Sequence, residues 1–217
     1  MKVIIFGIGD LSKQLLFYLE KANFEVEGFC VNKDYYTSNL FCSKKVYSFE
    51  DEIDNLNPEI YKFIIGIGYK SLRSRKNVFE KLKEKGFELI NYIHPEAKIE
   101  GEIIGEGNII LSNVVVEPFA KINSNNIIWS NNLICHDAEI GNHNFIAAGS
   151  LIGGFSQVLD NNFIGFNSTV IQNITIHKEI LIGAKSLVIN SPQNGHIYFG
   201  APAKLIKPIP NNGISIV

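Results

Sequence analysis

The stretch NNLICHDAEI GNHNFIAAGS LIGGFSQVLD NNFIGFNSTV, residues 131–170, carries Ile or Val at every sixth position: Ile134, Ile140, Ile146, Ile152, Val158, Ile164 and Val170. Followed outward, the ladder runs unbroken from Ile104 through Ile110, Val116, Ile122 and Ile128, and onward to Ile176, Ile182 and Val188. Ile and Val together are 46 of 217 residues, so chance would fill about three of these fifteen positions. A period of six matches neither the 3.6 of an α-helix nor the 2 of a simple strand. It is the signature of a parallel β-helix built from hexapeptides.

The residues around the ladder support that reading. Two places before each Ile or Val the residue is mostly small or Asn: Ala120, Asn126, Asn132, Ala138, Asn144, Ser150, Ser156, Asn162, Ser168 and Ser186. Gly105, Gly141, Gly153, Gly165 and Gly183 follow five of the rungs. Three hexapeptides make one triangular coil, and successive coils stack at about the 4.8 Å spacing of paired strands. The Ile and Val fill the prism. The small and Asn positions are expected at the tight corners, where Asn tolerates left-handed backbone and bonds along the stack. Ile93 and Ile99 are also six apart, and a one-residue slip is expected to place Ile104 in register. Residues 104 to 190 give about five coils.

Residues 1–91 follow a different grammar. Val3–Phe6 reads as a buried strand ending at Gly7-Ile8-Gly9, with Asp10 capping a helix over about Leu11–Lys21 whose apolar face is Leu11, Leu15, Leu16 and Leu19. Val26–Val31 and Lys62–Ile67 read as further strands. Gly66-Ile67-Gly68 then leads to a helix from about Ser71 to Lys85, closed by Gly86. This alternation predicts a small parallel sheet with helices on its faces, roughly half a nucleotide-binding fold. The expected domains are therefore 1–91, α/β, and 92–217, β-helix with a C-terminal tail.

Composition narrows the function classes. A net charge of −2 provides no general attraction to nucleic acid or anionic membrane. No run of 18 apolar residues exists to span a bilayer, and a cytoplasmic location is expected. Cys30, Cys42 and Cys135 show neither CxxC nor metal-type spacing, so neither disulfides nor a structural metal are expected.

Chemistry is sought where the repeat breaks its own monotony. Cys135-His136-Asp137 sets an imidazole beside a carboxylate near a coil corner. A neutral imidazole can take a proton from an amine or hydroxyl, and the acid can orient it. His94, His143, His177 and His196 read as ordinary structural or surface positions, and Cys135 lacks a separate base to make it a nucleophile. Gly7-Ile8-Gly9-Asp10-Leu11-Ser12 presents backbone amides at a helix start, suited to phosphate or hydroxyl oxygens. As a dinucleotide fingerprint it departs from the pattern, because Ser12 stands at the third glycine.

The short α/β domain, the β-helix, the His136-Asp137-Ala138-Glu139-Ile140-Gly141 segment and the terminal Phe199-Gly200-Ala201-Pro202-Ala203-Lys204 together resemble, over nearly the full length, the sugar acyltransferases typified by bacterial nucleotide-sugar N-acetyltransferases and sialic acid O-acetyltransferases. The resemblance implies a left-handed coil. It implies His136 as general base, Asp137 as its support, and the Gly154 amide as the group that holds the thioester oxygen. It further implies acetyl-CoA along the helix between two subunits of a homotrimer, near Gly165, Phe166 and Ala184, with Pro202 and Lys204 close to its far end. The nucleotide-linked amino sugar is expected on the N-terminal domain, at Gly7, Gly9, Asp10, Asp34, Gly66 and Tyr69, with no metal in the reaction. Two departures stand out. The family's second His, nine residues after the base, is Phe145 here, and only Asp34 is acidic after the second strand.

The implied activity is acetyl transfer from acetyl-CoA to the amine of a nucleotide-linked sugar, for which a 4-amino-4,6-dideoxyhexose fits, in surface-glycan synthesis. The alternative is O-acetylation of a sialic acid or another sugar. A metal hydrolyase on the same prism would need three converging His, and a non-catalytic scaffold would have no use for a His-Asp pair joined to a nucleotide-type domain.

Overall fold

The computed structural model describes residues 2–68 and 70–215, so the expected site residue Tyr69 lies outside the described residues. The chain divides into two compact units: residues 1–68 with 77–90, and residues 69–76 with 91–217.

In the first unit, β1 (Lys2–Phe6), α1 (Asp10–Lys21), β2 (Glu25–Val31), β3 (Leu40–Phe41), β4 (Lys44–Ser48), α2 (Phe49–Glu52), β5 (Tyr61–Ile65) and α3 (Leu72–Glu84, of which residues 77–84 group here) succeed one another. The sheet order is β3-β4-β2-β1-β5, with β4, β2, β1 and β5 parallel and β3 antiparallel to β4. Three of these strands were legible as apolar runs. The hairpin β3–β4 and the short helix α2 were not, because Lys44-Lys45-Val46-Tyr47-Ser48 has only two apolar residues to signal a strand. The sheet is therefore larger than expected, with five strands. The sheet's apolar residues pack with those of the following segments: Ile4, Phe6, Phe63 and Ile65 share one cluster with Val78, Leu82 and Phe87.

Because β2 and β5 flank β1 on opposite sides, the winding reverses at β1. The carboxyl ends of β1 and β5 then border the crevice where open α/β sheets accept ligands. Asp10 does not cap α1. It is the first helical residue, Gly9 occupies the cap with extended backbone, and no side chain closes that end.

In the second unit the chain winds through three flat faces of two-residue parallel strands. Face 1 carries Tyr92–Ile93, Ile109–Ile110, Ile127–Ile128, Phe145–Ile146, Phe163–Ile164 and Leu181–Ile182. Face 2 carries Lys98–Ile99, Val115–Val116, Leu133–Ile134, Leu151–Ile152, Thr169–Val170 and Leu187–Val188. Face 3 runs from Glu102–Ile103 to Thr175–Ile176. From Ile109–Ile110 to Leu187–Val188, strands pair at a separation of 18 residues, as in Leu133↔Leu151 and Ile134↔Ile152. Fourteen of the fifteen rungs, Ile110 to Val188, are inside and at most 2% exposed.

The first rung is a correction. Ile104 is 57% exposed, and Ile103 takes the interior place opposite Ile122. In place of a single one-residue slip there are two irregular steps, a short one from Ile99 to Ile103, where the corner is cut short at Gly101, and a long one from Ile103 to Ile110. A Cβ on Gly101 would meet the Ala120 and Glu117 carbonyl oxygens.

The corners supply a second correction. The left-handed residues are not the small and Asn positions two places before each rung but those one place earlier. Asn113, Phe119, Asn125, Asn131, Asp137, His143, Phe155, Asn161, Asn167, Asn173, Glu179 and Lys185 all have φ between 53° and 66°. The second Asn set does the other half of the expected task. Asn126, Asn144 and Asn162 are fully buried, and each side-chain oxygen accepts a backbone N–H one coil later: Asn144 N–H to Asn126 Oδ1 at 2.9 Å, Asn162 N–H to Asn144 Oδ1 at 2.8 Å, and Ile180 N–H to Asn162 Oδ1 at 2.7 Å. The backbone chirality and the bonding along the stack are thus assigned to adjacent residues.

Candidate active site

His136 lies at the corner between faces 2 and 3, and four coils stack there as Pro118-Phe119, His136-Asp137, Gly154-Phe155 and Gln172-Asn173. Asp137 is the left-handed residue of its corner, at φ 57°, a conformation that Asp and Asn tolerate better than most side chains. This turn sends its carboxylate back to the preceding ring: His136 Nδ1 and Asp137 Oδ2 are 3.0 Å apart. A proton on Nδ1, donated to Asp137, leaves Nε2 as a free lone pair. The imidazole is 54% exposed and the carboxylate 37%, so the pair is open to a reactant.

Gly154 lies against the other edge of the ring. A Cβ built there would stand 2.9 Å from Cε1 and 3.0 Å from Nε2 of His136. Glycine is what lets the ring approach this closely, and among the described residues no protein acceptor is found for its N–H. The Phe155 ring stands edge-on to the imidazole, 5.2 Å between centroids at 85°. The three residues expected to do the chemistry, His136, Asp137 and Gly154, thus converge in one corner.

Sequence reasoning missed Glu117. Its carboxylate accepts the His136 backbone N–H at 2.8 Å, from one coil earlier. Nothing in a single hexapeptide signals this, because the partners are nineteen residues apart. Burial, and then the Glu117 charge, push the Cys135 thiol above its ordinary range, which favours the unreactive thiol.

The expected cofactor residues occupy a different corner. Gly165, Phe166 and Ala184 lie between faces 1 and 2, across face 2 from His136. Phe166 is 51% exposed. Gly165 has a packing reason to be glycine, since a Cβ would press on the Ala184 N and Gly183 C of the next coil. Pro202, after a cis peptide, and Lys204 are exposed in the tail that follows the last coil. Phe145, at the place of the expected second His, is a packing residue on face 1. It is 1% exposed, with its ring 5.3 Å from that of Phe163.

His143 sits at the corner between faces 3 and 1, apart from His136. Its Nδ1 is 2.8 Å from Asn125 Nδ2. Burial, then the Lys76 and Arg75 charges, hold its pKa down to about 4, with Asp160 opposing. Arg75 is itself wholly buried, donating to the Asn125 and Gly107 carbonyls at 3.2 Å, and burial lowers it to about 9. Among the described residues, no group of three or more His, Cys, Asp or Glu is arranged to hold a metal ion.

In the first unit, Gly7 and Gly66 end β1 and β5 side by side, and the buried Ser12 hydroxyl donates to the Gly66 carbonyl at 3.1 Å. A Cβ on Gly7 would meet Ser12 Oγ at 2.8 Å and Ile67 Cγ2 at 2.7 Å. Ser12, the departure from the three-glycine pattern, is thus the tie between the two turns. Gly9 differs: nothing lies within 4 Å of a Cβ there, and both Gly9 and Asp10 are exposed. Asp34 is exposed just past β2, in the turn Lys33–Tyr35. Two acids from the unforeseen α2 come to the same end of the strand. Glu50 accepts the Lys33 N–H at 2.6 Å, and Asp51 pairs with the Lys33 ammonium at 2.9 Å.

Residues 119–154 match the family described as "Bacterial transferase hexapeptide (six repeats)". The fold is that of the left-handed β-helix acetyltransferases that carry an N-terminal α/β region. PerB from Caulobacter crescentus, solved with CoA and GDP-perosamine, superposes with a TM-score of 0.85 at 23% identity, covering 95% of this chain and 97% of that one. The acetyltransferase domain of PglB from Neisseria gonorrhoeae FA1090 gives 0.84 at 22%, covering 94% and 99%. WeeI from Acinetobacter baumannii AYE gives 0.83 at 19%, covering 95% and 100%.

Proposed function

We propose that the protein is an acetyl-CoA-dependent N-acetyltransferase acting on the amino group of a nucleotide-linked amino sugar, with a 4-amino-4,6-dideoxyhexose as the favoured acceptor. The observation that carries this reading is the corner of His136, Asp137 and Gly154, set on a fold shared with an enzyme solved with CoA and GDP-perosamine.

In the reaction, the sugar nitrogen attacks the thioester carbonyl carbon. A C–N bond forms, the C–S bond breaks, and CoA leaves as thiolate. His136 takes the ammonium proton on Nε2, and Asp137 holds the ring by Nδ1 and balances the imidazolium charge. The Gly154 N–H points its dipole at the carbonyl oxygen as negative charge gathers there. The nucleotide lies at the carboxyl ends of β1 and β5, with the Gly9 and Asp10 amides at the start of α1 receiving phosphate oxygens.

His136 and the residues Gly165, Phe166 and Ala184 lie at opposite edges of face 2. One chain therefore offers two halves of a donor groove rather than a whole one, and a neighbouring copy completes it. A homotrimer with three such grooves is the assembly we propose, working in the cytoplasm and supplying surface-glycan synthesis.

The test is a panel of UDP-, dTDP- and GDP-linked 3-amino and 4-amino sugars, assayed for CoA release. At least one is expected to be acetylated, and His136→Ala is expected to abolish turnover of it. Full activity in His136→Ala would remove the base assignment. If free sialic acid consumed acetyl-CoA and no panel member did, O-acetylation would be the activity instead.

A further inference from the structure

One corner of the prism ties its outward N–H groups by a repeated device. At the corner between faces 3 and 1, three successive N–H groups are each taken by a side chain from the following coil. Glu106 N–H donates to Ser124 Oγ at 3.2 Å, Ser124 N–H to Asn142 Oδ1 at 3.0 Å, and Asn142 N–H to Asp160 Oδ1 at 2.9 Å. At the corner of His136 the following coil presents Gly154, which has no side chain to give. A side chain there would displace the imidazole, since a Cβ would stand 2.9 Å from its Cε1. The acceptor instead comes from the preceding coil, where Glu117 reaches the His136 N–H at 2.8 Å. The neighbouring positions lack such a tie: residue 118 is Pro, and among the described residues no acceptor is found for the Gly154 or Gln172 N–H.

We infer that Glu117 is a positioning residue for the His136 base, fixing the backbone of the corner from the one side that Gly154 leaves available. This rests on the proposed role of His136. The ring is braced by Asp137 at Nδ1, and the peptide that carries the ring is braced by Glu117. Because Gly154 and Phe155 bear on the ring from the next coil, a small rotation of the 135–136 peptide would swing Nε2 away from the reacting amine.

Glu117→Ala, Glu117→Gln and Glu117→Asp are compared with His136→Ala and the wild type, using the best acceptor of the panel. The Gln carbonyl can accept the same N–H, whereas the Asp carboxylate is one methylene short. In Glu117→Ala and Glu117→Asp, kcat is expected to fall about tenfold with KM for both substrates within about twofold, since displacement of a reacting group by a fraction of an ångström acts on turnover. Glu117→Gln is expected to stay within about threefold of wild type on the same grounds. The His136 amide proton resonance, read without substrate, is expected to move upfield in the Ala and Asp variants and hold in Gln.

Wild-type kcat in Glu117→Ala, with His136→Ala inactive, would overturn the inference and leave the base assignment standing. So would a Gln variant as impaired as Ala, which would make the charge and not the hydrogen bond the active feature. An active His136→Ala would overturn the base assignment itself, and an unmoved amide resonance in Glu117→Ala would refute the bond independently of any assay.

Discussion

Gly154→Ala isolates the geometry of the site with a single methyl group. Gly154 is not among the left-handed glycines, so alanine meets no backbone penalty there. The cost is local: the new Cβ would lie 2.9 Å from Cε1, 3.0 Å from Nε2 and 3.2 Å from the carbonyl oxygen of His136, where ordinary contact begins near 3.4 Å. The ring must retreat by about half an ångström, because it is the movable partner and the stacked backbone is not. That retreat stretches the 3.0 Å bond to Asp137 toward the limit of a useful hydrogen bond. A displacement of this size costs roughly 10- to 100-fold in turnover, or about 1.4 to 2.7 kcal/mol in the barrier. Stability should hardly change. Replacing Gly by Ala lowers unfolded-state entropy, which is worth about 0.4–1 kcal/mol, and offsets a comparable packing strain. The assay is steady-state CoA release beside a thermal melt. A variant with kcat within twofold of wild type would refute the proposed contact between Gly154 and the working ring. A variant that loses several kcal/mol of stability would show that the coil, and not the ring, absorbs the clash.

Three further predictions use the corner chemistry. Asp137→Asn keeps a residue suited to φ 57° while removing the charge that balances an imidazolium, so its melting temperature should match wild type while kcat drops about 10- to 100-fold; unchanged turnover would deny the carboxylate its role. Phe155 holds a bulky side chain in left-handed backbone at φ 59° while 56% exposed, so Phe155→Asn should raise stability by about 1 kcal/mol, read by denaturant unfolding, while lowering activity as the ring beside His136 is lost. The buried His143, whose folded pKa is depressed to about 4, stays neutral while an unfolded His near 6.5 takes a proton. Stability should therefore fall as pH drops from about 6.5 toward 4, by roughly 2 kcal/mol after allowing for partial screening, and His143→Asn should flatten that slope in acid-unfolding curves.

The legible part of the chain was the part governed by local repetition. Ile110 to Val188 had to face inward because a two-residue strand has one inner place per hexapeptide, and the prism followed. His136, Asp137 and Gly154 were legible through resemblance, and the structure brings them within contact of one another. The strands Leu40–Phe41 and Lys44–Ser48 were not, since the first is only two residues long and the second is mostly polar and pairs with β2 far away in sequence. The left-handed corner residue was misplaced by one, because Asn serves two adjacent corner positions for different reasons. In one it relaxes the backbone, and in the other it bonds along the stack.

By itself, then, the sequence determined a hexapeptide prism joined to a small α/β unit, because periodic burial needs no knowledge of distant contacts. Only the tertiary structure decided which groups meet across coils. Stacking at 18-residue intervals puts Glu117 beneath the His136 amide, Gly154 against its ring, and Gly165 and Ala184 on the far edge of the same face. Those neighbours are fixed by the register between coils, a property of the folded stack that no single hexapeptide contains.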